Sequence, residues 1–158
     1  MIYDTVESFG AVLTRGAPIL GLDLGTKTIG LALSDVMLSI ATPQKTVRRT
    51  KFMADAAAVL EFAVSRGVTG LVLGLPVNMD ASEGPRAQST RAFARNLTKI
   101  TELPITYWDE RLSTVAAERA LLEADTSRKR RAEVIDHVAA AFILQGVLDR
   151  LHYIRAAQ

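Results

Sequence analysis

"ILGLDLGTKTIGLALSD", residues 19–35, reads as two short strands meeting at a tight turn. Side chains alternate between the two faces of a strand. Leu20, Leu22 and Leu24 therefore share one face, and Asp23 shares the other with Gly21 and Gly25. In the second strand Ile29, Leu31 and Leu33 point one way, and Thr28, Gly30, Ala32 and Ser34 the other. One face of the hairpin is apolar and must be buried. The other is lined by small residues around a single carboxylate. Aspartate is depleted in strand interiors and usually belongs to turns. Asp23 is thus either bonded to a turn amide or is an accessible carboxylate beneath room for a ligand.

Downstream, "SIATPQKTV" (39–47) is a third extended piece, and the short connections make the three strands an antiparallel meander. "KFMADAAAVLEFAVSRG" (51–67) is a helix with Phe52, Ala56, Val59, Leu60 and Ala63 on one face and Gly67 as its stop. "VTGLVLGLP" (68–76) is an almost continuous apolar run, the pattern of a strand buried on both faces. The loop "VNMDASEGP" leads to a helix over about 86–101, anchored by Phe93, Leu97 and Ile100. "LPITYWDE" (103–110) is a fifth strand. Ser113 or Thr114 is a good N-cap for the next helix. A basic loop, "DTSRKRR", then precedes a long final helix over about 132–151. Three antiparallel strands followed by right-handed β-α-β crossovers predict a mixed five-stranded sheet with helices on both faces, the ribonuclease H-like arrangement. The expected organisation is an extension over residues 1–18, one domain over 19–152 and a short tail over 153–158.

Length and composition agree with one globular domain. The chain has 158 residues, of which 49% are hydrophobic and 23% charged. It has no cysteine, which removes disulfides, thiolate nucleophiles and cysteine-based zinc sites and fits a cytoplasmic setting. No apolar run reaches the ~18 residues of a membrane span. The first 18 residues carry Asp4 and Glu7 and lack the pattern of a secretory signal. A net charge of +2 says little, but its distribution says more. Lys45, Arg48, Arg49 and Lys51 form one basic cluster, and Arg128, Lys129, Arg130 and Arg131 another. Arg91, Arg95 and Lys99 recur every four residues and stripe one helix face. Each alone is an ordinary solvated surface; together they favour a polyanionic partner.

Two further acids stand out. Glu110 ends the last strand, and ligands of α/β sheets bind at the carboxyl ends of parallel strands. Arg111 beside it is a candidate ion-pair partner. In the last helix Asp136 lies in register with Ala132, Ala139, Ala140, Ile143 and Val147, so it faces inward. An inward carboxylate needs a hydrogen bond, an ion pair (Lys27 is a candidate) or a metal. His137 reads as a core histidine and Trp108 as a core aromatic. Glu83 is either an extra acid or a solvated loop residue, the second being favoured.

"GLDLGTKTIGLALSD", "GLPVNMDASEGPRA", "DERLST" and "IDHVAAAFILQ" resemble, in order, the motifs of the YqgF/RuvX family. These are ribonuclease H-like proteins regarded as nucleases of the 5′ end of pre-16S rRNA and related in fold to Holliday junction resolvases. The resemblance runs from about Ile19 to Leu148. It carries the family's acidic positions onto Asp23, Glu110 and Asp136, the three acids already singled out. Lys27 stands where the family usually has arginine, and Ala81 where glycine is usual. The resemblance implies a nuclease in ribosome biogenesis whose three acids hold Mg²⁺ or Mn²⁺, hard ions that take oxygen ligands. Two such ions ~4 Å apart activate a water and stabilise the leaving oxygen of a phosphodiester. Lys27, Arg86, Arg111 and the Arg128–Arg131 cluster are the candidate phosphate contacts. The expected partners are nucleic acid, with pre-rRNA favoured and branched DNA as the rival, and ribosomal precursor particles. No membrane is expected, and the protein is expected to be a monomer or weak homodimer. The alternatives are a resolvase of four-way DNA junctions, which would need a dimer for paired cuts, and a non-catalytic RNA-binding or transcription factor.

Overall fold

The computed structural model describes residues 1–112 and 128–158, with side chains described over 1–112 and 137–158. The expected helix beginning at Ser113 or Thr114 lies outside the described residues. In chain order the elements are β1 (Ile2–Tyr3), α1 (Val6–Ala11), β2 (Leu20–Leu24), β3 (Thr28–Ser34), β4 (Ala41–Arg48), α2 (Phe52–Ser65), β5 (Leu71–Leu75), α3 (Pro85–Leu97), β6 (Ile105–Asp109), a single 3₁₀ turn (Glu110–Leu112) and α4 (Arg128–Ala156).

The strands form one mixed sheet in the order β1-β6-β5-β2-β3-β4. β2, β3 and β4 are the antiparallel meander, and β5, β6 and β1 run parallel to β2. The sheet therefore has six strands, not five. The sixth comes from the first residues of the chain: Ile2 and Tyr3 pair with Ile105 and Thr106. A two-residue strand is too short to leave an alternating pattern. Its position comes from main-chain bonds, such as Ile105 N–H donating to Met1 C=O, and from Thr106 Oγ1 donating to Tyr3 C=O.

Alternation along the hairpin divides the core as the sequence demands. Leu20, Leu22, Leu24, Ile29 and Leu31 face α2 and α3, meeting Ala56, Val59, Phe62, Phe93 and Leu97. Ile19, Ala32, Val72 and Trp108 face α1 and α4, meeting Phe9, Ala140, Ile143, Leu144 and Val147. Fully burying each such leucine contributes about 2 kcal/mol. α2 ends at Ser65 with Arg66 as its C-cap, and Gly67 follows with φ +67°, the left-handed stop expected there. α3 ends at Leu97 rather than near 101, leaving Ile100 exposed instead of anchored.

The small-residue face brings α4 close to the sheet. A Cβ placed on Gly21 would stand 2.8 Å from Leu144 Cβ and 3.1 Å from the Ala140 carbonyl oxygen. Arg128, Lys129, Arg130 and Arg131 form the first turn of α4 rather than a loop before it. Arginine and lysine are good helix formers, so nothing in that run delays the helix to residue 132.

Candidate active site

The carboxyl ends of the parallel strands β2, β5 and β6 lie side by side, with Leu22 paired to Leu73 and Leu75 to Asp109. Their outgoing segments are the Gly25–Thr28 turn, the 76–84 loop and the 3₁₀ turn carrying Glu110. Asp23 lies one residue before the end of β2 and is only 1% exposed. Across the sheet it pairs with Gly30, which pairs in turn with Thr46. His137 of α4 is hydrogen-bonded to Thr46, Nδ1 to Oγ1 at 3.0 Å. The turn of α4 that begins its described side chains thus crosses the sheet at the row of Asp23. His137 is half-buried and bonded to the sheet, as a core histidine would be.

Arg86, in the first turn of α3, reaches the end of β2. Its Nη2 donates to the Leu24 carbonyl at 3.2 Å and lies 3.9 Å from Asp23 Oδ1. Lys27 is exposed on the hairpin turn, which is closed by Gly25 N–H donating to the Thr28 carbonyl at 2.8 Å. Arg49 was legible only as one member of a basic cluster, yet it joins this region. Its Nη1 donates to the Gly25 carbonyl at 2.7 Å and its main-chain N–H to the Lys27 carbonyl at 2.8 Å.

Glu110 opens the 3₁₀ turn directly after β6 and is half-buried. Arg111 does not serve it as the ion-pair partner anticipated: the guanidinium takes Asp109 instead, with Nη2 2.7 Å from Oδ2 and Nε 3.1 Å from each oxygen. A two-residue separation across the tight 3₁₀ turn lets Arg111 fold back on Asp109. The hydrogen bond from Arg111 holds the Asp109 carboxyl below its ordinary range. Asp80 is also lowered, first by the Ser82 hydroxyl and, least of all, by the charge of Arg111. Glu83 is not simply a solvated loop residue. It forms a two-point pair with Arg91, at 2.6 and 2.7 Å, and Arg91 in turn lies over the Tyr107 ring. Arg91 is thereby removed from the basic stripe. Trp108 is buried against Gly146, as the core reading expected.

Asp136 has its backbone in α4, four residues before Ala140; its side chain and those of Arg128, Lys129, Arg130 and Arg131 lie outside the described residues. Among the described residues no three acids or histidines cluster as metal ligands.

The sequence model described as "RuvX: Holliday junction resolvase" matches residues 17–150. The chain belongs to the RuvX family. Among its relatives is one from Cereibacter sphaeroides, 68% identical over 154 residues, covering 98% of this chain and 96% of the relative. One from Paracoccus denitrificans is 67% identical over 154 residues, covering 98% of each. Both carry the name "Putative pre-16S rRNA nuclease". Among solved structures, Thermus thermophilus RuvC in complex with a Holliday junction substrate superposes with a TM-score of 0.55 at 13% identity, covering 89% of this chain and 96% of that one. A second Thermus thermophilus RuvC structure gives 0.51 at 11% identity, covering 88% of this chain and 96% of that one. At these identities the likeness establishes the fold, which this RuvX protein shares with RuvC.

Proposed function

We propose that this RuvX protein is a divalent-metal-dependent nuclease that hydrolyses phosphodiester bonds in the 5′-end processing of pre-16S rRNA. The observation that carries the reading is Asp23. It is a carboxylate buried at the carboxyl end of a central strand, with Arg86 3.9 Å away, in a chain whose relatives bear a nuclease name. Burying a carboxylate is costly without charge compensation. A cation brought by the ligand adds to the compensation that Arg86 supplies at that distance.

Asp23, Glu110 and Asp136 would hold Mg²⁺ or Mn²⁺. The donor set fits: all are carboxylate oxygens, which suit hard ions, and two of the three stand at the ends of parallel strands of one sheet. When bound, the metal supplies an activated water and stabilises the departing oxygen. The protein's own groups orient the substrate. Arg86 reaches over the end of β2, where it can meet a phosphate oxygen, while Lys27 and Arg111 stand on neighbouring turns. The Arg128–Arg131 turn would grip flanking phosphates. The protein would act as a monomer or weak homodimer on precursor ribosomal particles in the cytoplasm; no described helix is long and apolar enough to cross a membrane.

The test is cleavage of a panel of substrates with Mn²⁺ or Mg²⁺: a 5′-extended 16S precursor fragment, unrelated RNA, duplex DNA and a four-way DNA junction. Asp23→Asn, Glu110→Gln and Asp136→Asn should each lower the rate roughly a hundredfold, on the scale of losing an electrostatic group at a reacting centre. Any two combined should cost little more than one, because the acids act as a unit. Preferential junction cutting would replace the rRNA reading with the resolvase reading. Wild-type rates in Asp23→Asn would make that acid structural and defeat the nuclease reading.

A further inference from the structure

Two guanidinium groups from separate segments reach the end of β2, beside the turn that carries Lys27. Lys27 is part of the turn itself. Arg86 approaches from α3 and takes the Leu24 carbonyl, while Arg49 approaches from the β4–α2 junction and takes the next carbonyl, that of Gly25. Arg49 holds the turn twice, since its own N–H is bonded to the Lys27 carbonyl. Its guanidinium also lies 5.8 Å above the ring of Phe93. A guanidinium has five N–H donors in a fixed fork, and one donor on a carbonyl leaves most of the fork for another acceptor. Arg49 is half-buried and Arg86 partly exposed, so both are anchored yet reachable. Asp23 offsets part of this charge through Arg86, 3.9 Å away, and a further anion would offset the rest.

We infer that Arg49 is a phosphate-binding residue of this protein, completing with Lys27 and Arg86 a cationic collar that holds a nucleic-acid backbone against the end of β2. The inference rests on the nuclease reading and names a contact within it. Arg86 and Arg49 hold successive carbonyls, those of Leu24 and Gly25, from different segments. Both are pre-positioned by main-chain bonds, which lowers the entropy lost when a flexible strand is held. Arg49 binds; it takes no part in the bond-breaking step.

The experiment measures binding of the full chain to a labelled single-stranded oligoribonucleotide in EDTA, where cleavage is off, over a salt series. Each lost phosphate contact lowers the slope of log K against log salt by about 0.7 for a single strand. Arg49→Ala should show that loss and bind roughly tenfold more weakly at low salt, the scale of one charge-assisted hydrogen bond. Arg49→Gln keeps a polar side chain and the main-chain bond to the Lys27 carbonyl but no charge, and should lose the same slope. Arg49→Lys should retain the slope. Arg49→Ala with Arg86→Ala should lose about 1.4, one increment of about 0.7 for each cation removed. An unchanged slope in Arg49→Gln overturns the inference and leaves Arg49 a clasp of the turn. If that occurs while wild type still cleaves with Mn²⁺, the nuclease reading stands without it. If wild type neither binds nor cleaves any RNA or DNA of the panel, both fail together.

Discussion

His137 of α4 and Thr46 of β4 are joined by a hydrogen bond of 3.0 Å, and Thr46 lies in the same cross-strand row as Asp23. The bond ties the amino-terminal half of α4 to the outer strand of the meander. Farther along, the helix is held by apolar packing of Ile143, Leu144 and Val147. Near residue 137 a polar contact takes over. Thr46→Val removes the hydroxyl with little change of shape. It should cost about 1 kcal/mol of stability in chemical denaturation, the usual net worth of one hydrogen bond. Cleavage should fall more than RNA affinity does, because the helix that carries Asp136 is then less firmly placed. Equal losses of rate and affinity would count against a positioning role for this contact.

The first turn of α4 carries four consecutive cations, Arg128 to Arg131, at the positive end of the helix dipole. Cations there are unfavourable by roughly 0.3–1 kcal/mol each before salt screening. Replacing all four by alanine should therefore leave thermal stability unchanged or raise it. The same variant should bind RNA more weakly, with a flatter salt dependence and a largely intact maximal rate. Unchanged binding at low and moderate salt would make this turn an ordinary solvated surface.

Ala81, in the loop between β5 and α3, has φ +72°. Only glycine occupies that region without a Cβ penalty. The conformation is held by Ala81 N–H donating to the Asn78 carbonyl and by Ser82 N–H donating to Asp80 Oδ1. Ala81→Gly should raise stability by up to about 1 kcal/mol, the relief of strain less the added freedom of the unfolded chain. A lowered melting temperature would show that the alanine side chain contributes packing that outweighs its strain.

Glu83 is held below its ordinary carboxyl range chiefly by the hydrogen bond from Arg91. A depressed carboxyl pKa gives stability that is fully present above the unfolded value, about 4.3, and is lost as pH falls through the folded value. Arg91→Gln should therefore melt below wild type at neutral pH, and the two melting curves should converge under strongly acidic conditions. A difference that persists at the lowest pH would assign the effect to Arg91 packing on Tyr107 instead of to the pair.

Much of this architecture is written in local pattern. Alternation at Leu20, Leu22 and Leu24 against Gly21 and Asp23 determines which face is core and where the acid stands, because a strand has only two sides. The helical stripe through Ala139, Ala140 and Ile143 likewise determines the buried face of α4. What the pattern did not contain depends on where strands and side chains meet in space. The strand at Ile2–Tyr3 exists because β6 offers it an edge. Arg111 turned to Asp109 rather than Glu110, and Glu83 found Arg91, because side-chain reach is measured through space across a 3₁₀ turn or around the first turns of a helix. Arg49, anonymous in its basic cluster, acquired a place at the turn after β2 only when β4 folded back along β3 and brought the chain after it to the Gly25 carbonyl. Periodicity is a property of spacing along the chain, whereas a charged group's partner is whichever group the folded backbone brings within its reach.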